Sequence, residues 1–214
     1  MKLIISLSVA FACLSQVALA NDPFDIEESS GYNVKPLTPT LIKKLRAGGY
    51  VLYMRHGNTD TTRTDQLPHM DLKDCSTQRP LSEEGKRVSA SVGKYIREAG
   101  IPIGEIYSSP LCRSKETTLA AFGPKFKVNN LLMYTANMTE NEKAQVLEAT
   151  SDLLSRPVAG RVNRVLVAHA QNLMDIIGYL PRPEGVVVIL KPMGNGKFKY
   201  LASVAPSQWE EILQ

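Results

Sequence analysis

Apolar residues gather along this chain in short runs of strand length, and most neighbouring runs are separated by stretches with helical spacing. Tyr50 to Met54 is the first run. Ile101 to Tyr107, a weaker Lys127 to Leu132, Arg164 to Ala168 and Val186 to Leu190 follow. Thr40 precedes a helix over 41–47, in which Leu41 and Leu45 share a face and Gly48-Gly49 form the close. Leu81 to Gly100 predicts a helix capped by Ser82, with Glu83 and Glu84 at the positive end of its dipole and Val88, Val92, Tyr95 and Ile96 as its apolar stripe. Pro110 fits the first turn of a helix running to Phe122. Thr139 and Glu140 open another through about Leu154, with Ala144, Leu147 and Leu154 on one face. Gly194-Asn195-Gly196 is a turn that lets Phe198 to Val204 pair back as a C-terminal β-hairpin, and Trp209, Ile212 and Leu213 pack a last helical turn. Alternation of strand and helix predicts an α/β domain with a mostly parallel central sheet.

The pattern starts late. Met1 to Ala20 carries one lysine, an apolar stretch from Leu3 to Leu14 and Ala18-Leu19-Ala20 before Asn21, which reads as a signal peptide cleaved after Ala20 and predicts a periplasmic or secreted protein. Its apolar core is short for a membrane span and no later stretch is longer, so no stable membrane insertion is expected. Residues 21–39, with Pro23, Ser29-Ser30-Gly31, Pro36 and Pro39, form an extended lead-in over the surface of a single domain at 40–214. The net charge of +4 is mild, and no basic run or interleaving of aromatic and basic residues argues for nucleic acid. Basic residues are better sought as a local anion site.

Two apolar strands end in a histidine. Arg55-His56-Gly57 terminates the first and His169 terminates Arg164 to Ala168. In a parallel sheet both ends open on one crevice, so the two imidazoles are expected to meet there. Arg55 offers a planar fork of donors suited to phosphate, and Gly57 lets backbone approach a ligand closely. Arg113 falls near a helix N-terminus, where free N–H groups already favour an anion. Asn58 to Pro80 is a polar loop long enough to wall a pocket. His69 is isolated and no paired-cysteine spacing exists, so no metal or other cofactor is expected. Cys75 and Cys112 remain once the leader is removed; in an exported protein a disulfide is the leading reading, with two buried thiols or a reactive thiol as alternatives.

Taken together, Arg55-His56-Gly57 with Thr59, Arg79-Pro80-Leu81-Ser82-Glu83-Glu84-Gly85, Tyr107-Ser108-Ser109-Pro110 with Arg113 and Glu116-Thr117, and Val167-Ala168-His169 resemble the histidine phosphatase superfamily, in its phosphoglycerate mutase-like branch 1, over about 49–178. The exported, cysteine-containing form looks like the periplasmic members. The resemblance implies a three-layer α/β/α sandwich and a metal-independent phosphomonoester hydrolase. It makes His56 the nucleophile that carries a phosphohistidine, with Arg55, Arg113 and His169 holding the phosphoryl oxygens and Thr59 in the substrate site. It also implies a carboxylic acid for the leaving oxygen, and here the chain departs from the pattern. Leu131 to Glu140 lacks the glycine and aromatic context in which many members carry a glutamate, which leaves Glu140, Glu142, Asp60, Asp65 and Glu184 as candidates. Ala170 stands where a glycine is common. A phosphomutase or other phosphoryl transferase, and a phosphate-binding protein without turnover, are the alternatives. The expected partner is a phosphorylated small molecule or envelope constituent; neither its identity nor the oligomeric state is legible.

Overall fold

The computed structural model describes residues 32–213. The expected leader at 1–20 and the first part of the lead-in lie outside them.

Six strands form one sheet in the order β3-β2-β4-β1-β5-β6. β1 (Val51–Arg55), β2 (Ile103–Ser108), β3 (Lys127–Val128) and β4 (Asn163–Ala168) run parallel. β5 (Val187–Gly194) pairs antiparallel with β1, and β6 (Lys197–Val204) pairs back on β5 as the expected hairpin. Asn195 and Gly196, with φ of 51° and 72°, supply the left-handed pair that a two-residue turn needs.

Helices cover both faces because the strands are apolar on both. On one face Leu52, Met54, Val165, Val167, Val187 and Ile189 pack against α1 (Pro39–Arg46), α2 (Glu83–Glu98), α3 (Cys112–Phe122) and α6 (Gln208–Leu213), with Trp209 fully buried. On the other, Val51, Tyr53, Leu166, Val188 and Leu190 pack against α4 (Glu140–Ser155) and α5 (Ala170–Ile177). The result is a three-layer α/β/α sandwich with a mostly parallel sheet.

Local chemistry moves several boundaries. Thr38, not Thr40, caps α1: its hydroxyl accepts from the Leu41 N–H, and Pro39 at the first turn loses no hydrogen bond. Pro110 lies outside α3, before the N-cap Leu111, which leaves Arg113 in the first turn as expected. β3 is only two residues, because the Asn129 side chain accepts from the Leu131 N–H and turns the chain. α4 opens with the expected Thr139 cap but buries Val146, Thr150, Leu153 and Leu154, while Ala144 is exposed and Leu147 only half-buried. The lead-in is more than a surface strap: Leu37 is buried, and Tyr32 stacks on Tyr179 with ring centroids 4.5 Å apart.

Candidate active site

β1 and β4 run in register, Arg55 opposite Ala168, so the next residue of each delivers an imidazole to the same level. The His56 N–H donates to the Ala168 carbonyl at 3.0 Å, and the Gly185 N–H donates to the His56 carbonyl at 2.9 Å. The His56 and His169 ring centroids lie 5.3 Å apart at 61°.

Each ring has one nitrogen assigned. His56 Nδ1 lies 2.9 Å from the Gly57 carbonyl, an acceptor only, so Nδ1 carries the proton and the lone pair sits on Nε2. His169 Nε2 lies 2.8 Å from Ser109 Oγ, and the backbone of Ser109 is fixed by its N–H to the Val167 carbonyl. With Ser109 donating, His169 Nδ1 is the N–H, and it is buried without a protein partner. Tyr53 Oη donates to the His169 carbonyl at 2.7 Å, which fixes this turn from below.

Burial, and then the charge of Arg113, hold the His56 imidazole well below its ordinary value of 6.5. Burial, then His56 and then Arg113, do the same to His169. Both rings are therefore neutral at pH 7, and His56 presents a free lone pair.

Three arginines surround them. Arg55 donates through Nη1 to the Pro181 carbonyl and through Nη2 to Glu184 Oε1 at 3.0 Å. Arg113, 1% exposed, donates through Nη1 to Asp65 Oδ1 at 2.9 Å. Arg79, which sequence reasoning placed in a motif without a role, joins them: its charge bears on both imidazoles and on both other guanidiniums. The Nε atoms of all three are buried and unpartnered.

The five carboxyl candidates separate cleanly. Asp60 closes a local turn on the N–H and hydroxyl of Thr62. Glu140 and Glu142 lie in the first turn of α4, where the Glu140 side chain is 90% exposed beside Lys143 and Glu142 completes the capping box with Thr139. Glu184 and Asp65 remain, each on an arginine of the site. Thr59 turns its N–H, and at longer range its hydroxyl, to Glu184 rather than standing free for a substrate.

Packing explains the rest of the motif. A Cβ on Gly57 would lie 2.6 Å from Ser89 Oγ and 2.8 Å from the Gly85 carbonyl, so its close approach is to α2 rather than to a ligand. The Gly57 N–H donates to Thr117 Oγ1 on α3, whose own hydroxyl returns to the Arg113 carbonyl. Cys75 and Cys112 form a disulfide, Cα atoms 5.7 Å apart, that ties the 58–80 loop to the first turn of α3 beside Arg113. A cleft of about 380 Å³ opens along α2 and α6 and takes in Glu184, but neither histidine nor any of the three arginines lines it, so it is not the chemical centre. Among the described residues no group of three or more His, Cys, Asp and Glu side chains gathers as metal ligands, and no helix is long and apolar enough to cross a membrane.

Residues 51–132 match the model of the histidine phosphatase superfamily (branch 1). No curated protein matches the chain. Among solved structures, the protein histidine phosphatase SixA complexed with tungstate superposes with a TM-score of 0.51 at 14% identity, over 74% of this chain and 98% of that one. The alpha-ribazole phosphatase from Shigella flexneri gives 0.52 at 12% identity, over 73% and 96%. The ecdysone phosphate phosphatase from Bombix mori in complex with tungstate gives 0.50 at 16%, over 73% and 92%. At such identities the likeness establishes a shared fold.

Proposed function

From a chain whose residues 51–132 match branch 1 of the histidine phosphatase superfamily, we propose a phosphomonoester hydrolase that works through a phosphohistidine on His56. One observation carries this reading: Arg55 Nε, Arg79 Nε, Arg113 Nε and His169 Nδ1 are all buried donors without a partner around a histidine whose lone pair is free. Leaving such donors unmade is costly, and a phosphoryl group, with three oxygens and two charges, is the anion that satisfies several at once.

The reaction runs in two displacements. His56 Nε2 attacks phosphorus while the arginines and His169 Nδ1–H hold the phosphoryl oxygens. Phosphorylation turns His56 into a cation with its Nδ1–H still on the Gly57 carbonyl, and Glu184 Oε1, 4.0 Å from Nδ1, stands as its counter-charge. Water then displaces the imidazole and phosphate leaves. The substrate is a phosphorylated small molecule or envelope constituent. We also place the protein outside the cytoplasm, a reading that the Cys75–Cys112 disulfide and the leader expected at 1–20 support.

The test is phosphate release from an aryl phosphate by the protein as purified, with and without EDTA, beside His56→Ala. Turnover that persists in EDTA and disappears in His56→Ala is the expected result. Turnover that requires both the ester and an acceptor alcohol would instead make the protein a phosphoryl transferase.

A further inference from the structure

Asp65 and Glu184 both sit on site arginines, but they differ in how they are held. Glu184 is fixed by the Arg55 guanidinium and by the Thr59 N–H at 3.0 Å, and it lies towards Nδ1 of His56, the nitrogen that does not attack. Asp65 is held by the Nη1 of Arg113, at 2.9 Å to Oδ1 and 3.3 Å to Oδ2, and by the Arg79 backbone N–H at 2.8 Å. Arg113 is one of the guanidiniums that the proposed reaction assigns to the phosphoryl oxygens, and its charge bears on both imidazoles.

We propose that Asp65 is the general acid and base of the site: it rests on Arg113 in the free enzyme, is released when a phosphoryl dianion takes over that guanidinium, and then protonates the leaving oxygen. This rests on the hydrolase reading above. A phosphoryl dianion taken up by the unpartnered Arg113 Nε draws on the same guanidinium charge that holds Asp65 on Nη1, and the doubly charged group is the stronger competitor for a buried arginine. Once displaced, Asp65 has left its counter-ion and stands beside the phosphoryl group, and in the proposed step the acid form carries a proton from solvent. The Arg79 N–H keeps it tethered beside the site meanwhile.

The steps balance. The lone pair of His56 Nε2 forms the N–P bond, the P–O bond to the leaving group breaks, and the leaving oxygen takes the proton of Asp65, giving alcohol, phosphohistidine and an Asp65 carboxylate. That carboxylate then takes a proton from the water whose oxygen attacks phosphorus. The N–P bond breaks, its electron pair returns to Nε2, and hydrogen phosphate departs. Asp65 loses its proton to solvent as it returns to Arg113.

A role in protonation shows itself through the leaving group. An aryl ester such as 4-nitrophenyl phosphate expels a weakly basic phenolate that needs no proton, whereas glycerol phosphate expels a strongly basic alkoxide that does. The experiment compares kcat/KM on both esters for the wild type, Asp65→Asn, which keeps an acceptor for Arg113 and Arg79, and Asp65→Glu, which restores a carboxyl. Asp65→Asn is expected to lose roughly 10²- to 10⁴-fold on glycerol phosphate and less than about tenfold on the aryl ester, with Asp65→Glu recovering part of the loss. Equal losses on both esters, or no loss on either, would overturn the acid while leaving the hydrolase in place. A wild type inert on both esters would overturn the hydrolase reading itself, and the acid with it. If Asp65→Asn does not fold, Asp65→Glu decides: a drop confined to the alkyl ester supports the acid, and one shared by both esters refutes it.

Discussion

His56 and His169 are neutral for the same dominant reason, burial, but their tautomers are set by different neighbours, a carbonyl for one and a hydroxyl for the other. The difference matters, because a carbonyl can only accept and so fixes the His56 proton outright, while Ser109 fixes that of His169 only by donating. Ser109→Ala is therefore expected to lower kcat/KM on the order of tenfold, as His169 loses the partner that keeps Nδ1 protonated, and to cost about 1–3 kcal/mol of stability, because a buried ring nitrogen loses its partner. A parallel measurement of turnover and thermal unfolding checks it. At this scale the sequence is partly transparent. His56, Arg55, Arg113 and His169 are visible because strand-end and helix-start positions in an α/β sheet point at one crevice. Ser109 lies within the Tyr107-Ser108-Ser109-Pro110 motif, yet its contact with His169 depends on the register of β2 against β4, which no local pattern displays. Asp65 and Arg79 belong to a loop without periodicity, so only the folded path of 58–80 separates them from the neighbouring charges.

Elements carry the site by being locked to one another. The loop after β1 holds Asp65 and Arg79, α3 holds Arg113, and the Cys75–Cys112 bond closes the 37-residue separation between them. Constraining the unfolded chain over that separation is worth about 4 kcal/mol. The Cys75→Ser, Cys112→Ser double variant is expected to lose stability of about that size in denaturant unfolding, and to lose the proposed turnover of an aryl phosphate well below the denaturing midpoint as the loop parts from α3. The existence of each helix and strand follows from apolar spacing, whereas their ends follow from individual hydrogen bonds: the hydroxyl of Thr38 for α1, the amide of Asn129 for β3. The misjudged face of α4 has another cause. Leu147 and Ala144 satisfy a helical period as well as Val146 and Leu153 do, and only the position of the sheet decides which set is covered.

For the molecule as a whole, two buried neutral histidines couple chemistry to stability. Their folded-state values are depressed below 6.5 while the unfolded chain titrates near it, so the unfolded state binds more protons once the pH drops below 6.5. Stability is full above that pH and declines as pH falls towards the folded-state values, by up to about 1.4 kcal/mol per pH unit for each histidine. Urea unfolding between pH 7.5 and 5 measures the slope, and His169→Asn should flatten it. The architecture was the most legible level of all, since strands apolar on both faces alternating with amphipathic helices admit few arrangements other than three layers. The lead-in was the least, because a proline-rich segment shows no period even where it packs. Its path has an effect beyond the core it helps to fill. A sheet that ends in unpaired backbone invites another chain to add a strand. Here β3 offers only two residues at one rim, and at the other the Lys35 carbonyl takes up the Ser203 N–H while Lys197 and Lys199 stand exposed along β6. Shortness leaves little unpaired backbone at one rim, and at the other the segment at 32–37 and two ammonium groups stand where an added strand would have to pair.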